Sequence, residues 1–155
     1  MANKLSPVEM IKQDHRRVEQ LFEKFESAGE NFEERRSLAD EICSALEVHA
    51  QMEEEIFYPA LAQADEEKYQ ALVEESMEEH AQIKKLIEDI RMLDAQDDAE
   101  SFTAKMTVLK EDVLLHAKEE EKELLPDAEE TLSDDTKEIG EEMSVMKEKL
   151  MESMM

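Results

Sequence analysis

His49-Ala50-Gln51-Met52-Glu53-Glu54-Glu55-Ile56-Phe57-Tyr58-Pro59 and His116-Ala117-Lys118-Glu119-Glu120-Glu121-Lys122-Glu123-Leu124-Leu125-Pro126 are one pattern written twice, H-A-x-x-E-E-x-x-x-x-P. Each begins late in a run whose stripe residues recur at three- or four-residue spacing: Leu38, Ile42, Ala45, His49, Glu53, Ile56 in the first and Phe102, Met106, Leu109, Val113, His116, Glu120, Leu124 in the second. That recurrence is one face of an α-helix. The run before each is also helical in period. Val8, Ile11, His15, Val18, Phe22 and Phe25 precede the first, and Tyr69, Val73, Ser76, His80, Ile83, Ile87 and Ile90 precede the second. Asp14-His15 and Glu79-His80 correspond within these earlier runs. One helical hairpin used twice predicts an all-α, up-down antiparallel four-helix bundle with a central site.

Boundary signals agree. Ser6 can cap the first helix, with Pro7 at its first position and Glu9 closing a capping box. Gly29 marks its end, Asn31 with Glu34 opens the second helix, and Pro59 is expected to bend or end it. Asp65 caps the third helix, Asp94 to Asp98 form the next loop, and the fourth helix stops at Pro126. A further helix is expected over about 133–152, with Ile139, Met143, Met146 and Leu150 on its packed side; methionines at this spacing are read as core. The whole chain, 1–155, is taken as one domain, with the bundle over about 7–126.

Composition supports helices throughout. The chain has 155 residues with two Gly and three Pro, and is rich in Ala, Leu, Met, Glu, Lys and Gln. Its net charge of −25 repels phosphate backbones and anionic lipid, which argues against nucleic-acid and membrane partners. No apolar run approaches the roughly 18 residues of a membrane span, and the first residues lack a signal-peptide core. The single cysteine, Cys43, excludes an intrachain disulfide, fits a cytoplasmic location, and is read as a structural thiol.

The chemistry lies in the stripes. All four histidines, His15, His49, His80 and His116, occupy core-facing positions, one per long helix. Glu53 and Glu120 follow their histidines by one turn on the same face. A buried carboxylate needs a partner, and no lysine or arginine shares those stripes, so a metal is the economical one. The levels match: His15 and His49 flank a turn near residue 30 by 15 and 19 residues, and His80 and His116 flank one near residue 95 by 15 and 21. Four imidazoles and two carboxylates exceed one tetrahedral zinc and suit a pair of ions, with iron ahead of manganese or zinc. The neighbouring Glu54 and Glu121 are expected to be nearly silent in metal binding, and Tyr58 and Tyr69 to be ordinary packing residues.

The order H … H-x-x-x-E … H … H-x-x-x-E, over residues 8 to 126, resembles the hemerythrin-like HHE cation-binding family. The resemblance implies an oxo- or hydroxo-bridged di-iron centre in which His15 and His49 bind one iron, His80 and His116 the other, and Glu53 and Glu120 bridge them. Two departures stand out. Lys84 occupies the position where the family's oxygen carriers have a further histidine, and Glu120 replaces their differently spaced aspartate. The chain is thus similar to the bacterial six-ligand subgroup, which implies a cytoplasmic protein that binds or consumes O2, peroxide or nitric oxide with an electron donor yet to be named. The alternative the resemblance allows is an iron-binding module for storage, delivery or iron–sulfur cluster repair; that repair role usually comes with an N-terminal cysteine segment, which is not seen ahead of the first helix.

Overall fold

The structure is a computed structural model and is described for residues 5–154. Helix α1 (Pro7–Ser27) opens with the expected capping box: the Ser6 hydroxyl accepts from the Glu9 amide, and the Glu9 carboxylate accepts from the Ser6 amide. Gly29, at φ 58°, supplies the left-handed turn into α2 (Phe32–Met52), which Asn31 caps. After the linker comes α4 (Glu66–Met92), reached through the short α3 (Tyr58–Ala64) and capped by Asp65. Helix α5 (Ala99–Glu119) leads to a one-turn α6 (Ala128–Thr131) and then to α7 (Thr136–Ser153). Among the described residues there is no strand, as the sequence predicts.

Helices α1 and α2 form one hairpin and α4 and α5 the other; α1 also packs on α5, and α2 on α4, which closes an antiparallel four-helix bundle. Helix α7 lies outside it, against α1 and α2, with Ile139 and Met143 buried. Its seating is close: a side chain at Gly140 would meet the Leu5 carbonyl oxygen at 3.3 Å.

Pro59 does not end the second helix. Between α2 and α3 the backbone widens into a π-helical turn over Glu53–Phe57, where the Tyr58 amide donates to the Glu53 carbonyl, five residues back. The repeat does the same over Glu120–Leu124, with Leu125 donating to the Glu120 carbonyl at 2.9 Å. Proline donates no bond and crowds the carbonyl four residues before it in an α-helix. One extra residue per turn relieves that crowding, and helical structure continues to Ala64 in the first copy. Both widened turns start at the glutamate of H-x-x-x-E.

The apolar core comes in two parts. One, around Phe22, Ile42, Ile87 and Phe102, fills the end of the bundle with the Gly29 turn and the Asp94 loop. The other, around Ile11, Met52, Phe57, Tyr69 and Leu124, fills the end covered by α3, α6 and α7. The four histidines and two glutamates belong to neither and form a buried polar layer between them. Cys43 is wholly buried in the first part, where burial pushes its thiol up to about 11, so it packs as an inert side chain.

Candidate metal centre

All six side chains singled out by the stripes meet in that layer. Each is at least nine-tenths buried, and Glu53 is inaccessible to solvent. Glu53 Oε1 stands 3.1 Å from His49 Nε2 and 3.2 Å from His80 Nε2, so this one oxygen faces both hairpins. Glu120 is its counterpart, with Oε1 3.2 Å from His15 Nε2 and Oε2 3.5 Å from His116 Nε2. Two buried groups follow that could each hold a cation: His15, His49 and Glu120, and His80, His116 and Glu53. Each carboxylate therefore reaches a histidine of either pair, as the repeat requires.

These contacts are close without being hydrogen-bonded. His15 Nε2, His49 Nε2, both oxygens of Glu53 and Oε1 of Glu120 are buried with no hydrogen-bond partner. Buried polar atoms are rarely left so. Five of them within one buried layer, imidazole nitrogens 3.1–3.2 Å from carboxylate oxygens, are a donor set suited to cations.

The outer nitrogens are fully committed. His15 Nδ1 lies 2.7 Å from Glu121, His49 Nδ1 2.9 Å from Asp14, His80 Nδ1 2.8 Å from Glu54 and His116 Nδ1 2.6 Å from Glu79. A carboxylate at Nδ1 favours a proton there, so that once a ring is neutral its lone pair is at the inward Nε2, the tautomer that a metal needs. The repeat governs these partners too: Asp14 and Glu79 precede histidines, and Glu54 and Glu121 follow the interior glutamates. Cations back three of the four carboxylates: Arg16 on Glu121, Lys84 on Glu54 and Lys147 on Asp14.

The expectation that Glu54 and Glu121 are silent is thus wrong. It assumed that one residue further round the helix faces solvent, whereas each side chain reaches across to a histidine of the opposite hairpin. Glu54→Ala and Glu121→Ala are expected to lower metal affinity about 10- to 100-fold while leaving metal-free stability nearly unchanged, measured by chelator competition and thermal unfolding. Affinities equal to the parent's would show that the Nδ1 partners do not matter.

Tyr58 does more than pack. Its hydroxyl donates to Glu120 Oε2 at 2.5 Å and lies 3.4 Å from His80 Nε2. Burial, reinforced by the Glu53 and Glu120 carboxylates, pushes the phenol well above its usual value, so it keeps its proton as a donor. Tyr69 is the packing residue expected: its ring is buried and its hydroxyl meets Thr131. Lys84 reaches Glu54 at 2.9 Å and supplies nothing to the interior.

The electrostatics match a site built for cations. Burial alone would protonate Glu120, yet His116 and His15 outweigh it and hold the carboxyl well below the ordinary range. Burial likewise opposes ionisation of Asp14, but His49 and Lys147 keep it at about 2. Against the pull of burial, Glu120, Glu53 and Glu79 raise His116 to about 9, and Glu53 and Asp14 raise His49 well above its usual value. Without metal, protons therefore take the place of ions.

The model of the hemerythrin HHE cation-binding domain matches residues 6–128. This chain belongs to the hemerythrin HHE cation-binding family. A solved structure of a hemerythrin HHE cation-binding domain-containing protein from Mycobacterium kansasii superposes with a TM-score of 0.79 at 26% identity, over 96% of this chain and 89% of that one. No curated protein matches the chain. The match spans the four long helices and all six side chains of the buried layer. Among the described residues no helix is long and apolar enough to cross a membrane.

Proposed function

We propose that this hemerythrin-family chain is a non-haem di-iron protein that binds and reacts with a small oxidant, O2, peroxide or nitric oxide. His15 and His49 would hold one iron, His80 and His116 the other, and Glu53 and Glu120 would link them. The observation that carries this reading is the set of five buried, unbonded nitrogen and oxygen atoms converging between the hairpins. The mixed imidazole and carboxylate donor set favours iron, with manganese and zinc behind it. When bound, a pair of irons supplies redox equivalents and open coordination positions to a small ligand.

The chain's own residues do the rest. Asp14, Glu54, Glu79 and Glu121 orient the imidazoles. The two apolar half-cores exclude bulk water above and below the layer. A cavity of about 30 Å³ lies against all four histidines, with Val18, Leu46, Ile83 and Val113 in its wall, which is room for a small molecule. Tyr58 holds a proton at its hydroxyl beside Glu120. Iron storage or delivery is the weaker reading, because imidazoles held in place at Nδ1 by carboxylates favour retention over release. The single cysteine fits a cytoplasmic setting.

The testing experiment is metal analysis of protein from iron-replete cells, with its visible spectrum in air and after reduction. About two ions per chain, mostly iron, are expected, matching the two buried groups. A single tetrahedral zinc per chain would overturn the reading.

Loading also carries a pH signature. Because His116 keeps its proton up to about 9, ferrous ion must expel protons below that pH. Apparent affinity should climb from about pH 6 to at least 9, with proton release visible in weakly buffered solution. The same proton stabilises the metal-free fold: its contribution is complete below the unfolded value of 6.5 and is lost as pH rises through about 9. Affinity independent of pH across that window would contradict the assignment of His116.

A further inference from the structure

Helix α7 begins at Thr136, beyond the residues that the family model matches. It nonetheless reaches the centre. Lys147 Nζ donates to Asp14 Oδ1 at 2.5 Å, while Asp14 Oδ2 is 2.9 Å from His49 Nδ1. Both oxygens of a buried carboxylate are thereby used, one by a lysine from the outer helix and one by an interior histidine. With a single partner the carboxylate could turn about its side-chain torsion; held at both ends it presents a fixed acceptor to the imidazole.

Two further observations set Lys147 apart from an ordinary surface ion pair. Its side chain is 25% exposed, against 54% for Arg16 and 47% for Lys84, the cations on Glu121 and Glu54. Solvent and salt weaken exposed pairs more than sheltered ones. Its position is also dictated from within its own helix. Met143, one turn earlier on the same face, is fully buried, and Gly140 lets α7 approach the Leu5 carbonyl closely. Apolar seating thus aims the ammonium group at Asp14.

The structure assigns Lys147 as a positioning residue for His49, acting through Asp14, which makes α7 a working part of the metal centre. The assignment rests on the proposed role of His49 as a metal ligand. Lys147 touches no metal and holds only the group that orients the imidazole. Its effect should therefore fall on the ion bound by His15 and His49, and should leave the ion at His80 and His116 largely alone.

The experiment is an anaerobic cobalt(II) titration, read by ligand-field absorbance and chelator competition, on the full chain and on Lys147→Met, Lys147→Arg, Asp14→Asn and the double variant Asp14→Asn/Lys147→Met. Lys147→Met should weaken one of the two equivalents by about tenfold, and Lys147→Arg should restore it. Asp14→Asn should weaken the same equivalent, and adding Lys147→Met to it should cost nothing more, because the lysine's route to His49 is already cut. Lys147→Met that binds both equivalents like the parent overturns the proposal. So does a loss that is equal for both equivalents, or one that recurs in full in the Asp14→Asn background, since either marks a general effect of helix packing. If the parent itself takes up no cobalt at the histidines, the di-iron reading fails instead, and that is visible before any variant is made.

Discussion

Glu53→Ala should purify with its helices intact and most of its metal gone. One oxygen of Glu53 lies just over 3 Å from histidines of both hairpins, so removing it takes a donor from each ion at once. No other carboxylate can replace it: Glu54 is bound to His80 and Lys84, and Glu120 already faces His15 and His116. Metal content should fall from about two ions per chain to well under one. The metal-free fold should be affected far less. Glu53 is fully buried and unbonded, so its charge carries a desolvation cost that the alanine variant does not. Removing one partner of a buried ion pair usually strands the other charge, but here His49 can release its proton and become neutral. Lost packing from the shortened side chain opposes these gains, so the two apo proteins should melt within a few degrees of each other. Glu120→Ala should behave alike. A Glu53→Ala protein that keeps its full metal content, or one that does not fold in the presence of chelator while the parent does, would show that this carboxylate is structural.

The second large effect concerns oxygen. Reduced, iron-loaded protein mixed with O2 is expected to consume the gas rather than return it. Position 84 offers no fifth nitrogen to the centre, because Lys84 turns outward to Glu54 with nearly half of its side chain exposed. That leaves the His80 side with fewer protein donors and more room for exogenous ligand, next to a cavity sized for one small molecule. Tyr58, fixed on Glu120 and close to His80, keeps an ionisable proton within the layer. A reversible carrier needs firm saturation by protein donors, and with Lys84 turned away the proposed centre would lack it. Stopped-flow mixing followed by evacuation is the check. Near-complete loss of recoverable oxygen in the first cycle is expected, and recovery over many cycles would make the chain a carrier.

Most of this arrangement was legible in the residues. Periodicity alone placed His15, His49, His80, His116, Glu53 and Glu120 on inward faces, and the repeat put them at one level. Capping chemistry at Ser6, Asn31 and Asp65 placed three helix starts. The failure at Tyr58 comes from assuming an unbroken α register. In an α-helix a residue five positions after Glu53 points roughly 140° away from it. The widened turn at Glu53–Phe57 brings Tyr58 back toward the glutamate's side and into the centre. Pro59 and Pro126 were the visible signs of such a turn, although proline signals a break more often than a widening. Glu54 and Glu121 were missed differently: they sit at the margin of the stripe, and their role depends on reach between hairpins, which no single-helix pattern encodes.

The polar layer has a consequence for how the molecule comes apart. A bundle with one continuous oily interior melts as a unit, because loosening any part exposes the rest. Here the two apolar clusters are separated at mid-height by a buried layer of histidines and carboxylates, which the four long helices cross. Held together by protons alone, the two halves have little reason to loosen at the same moment, and amides at the α3–α6–α7 end can exchange with solvent while the Gly29 end stays closed. Ions bound between the hairpins would act as rivets through the seam, making one cooperative body out of two.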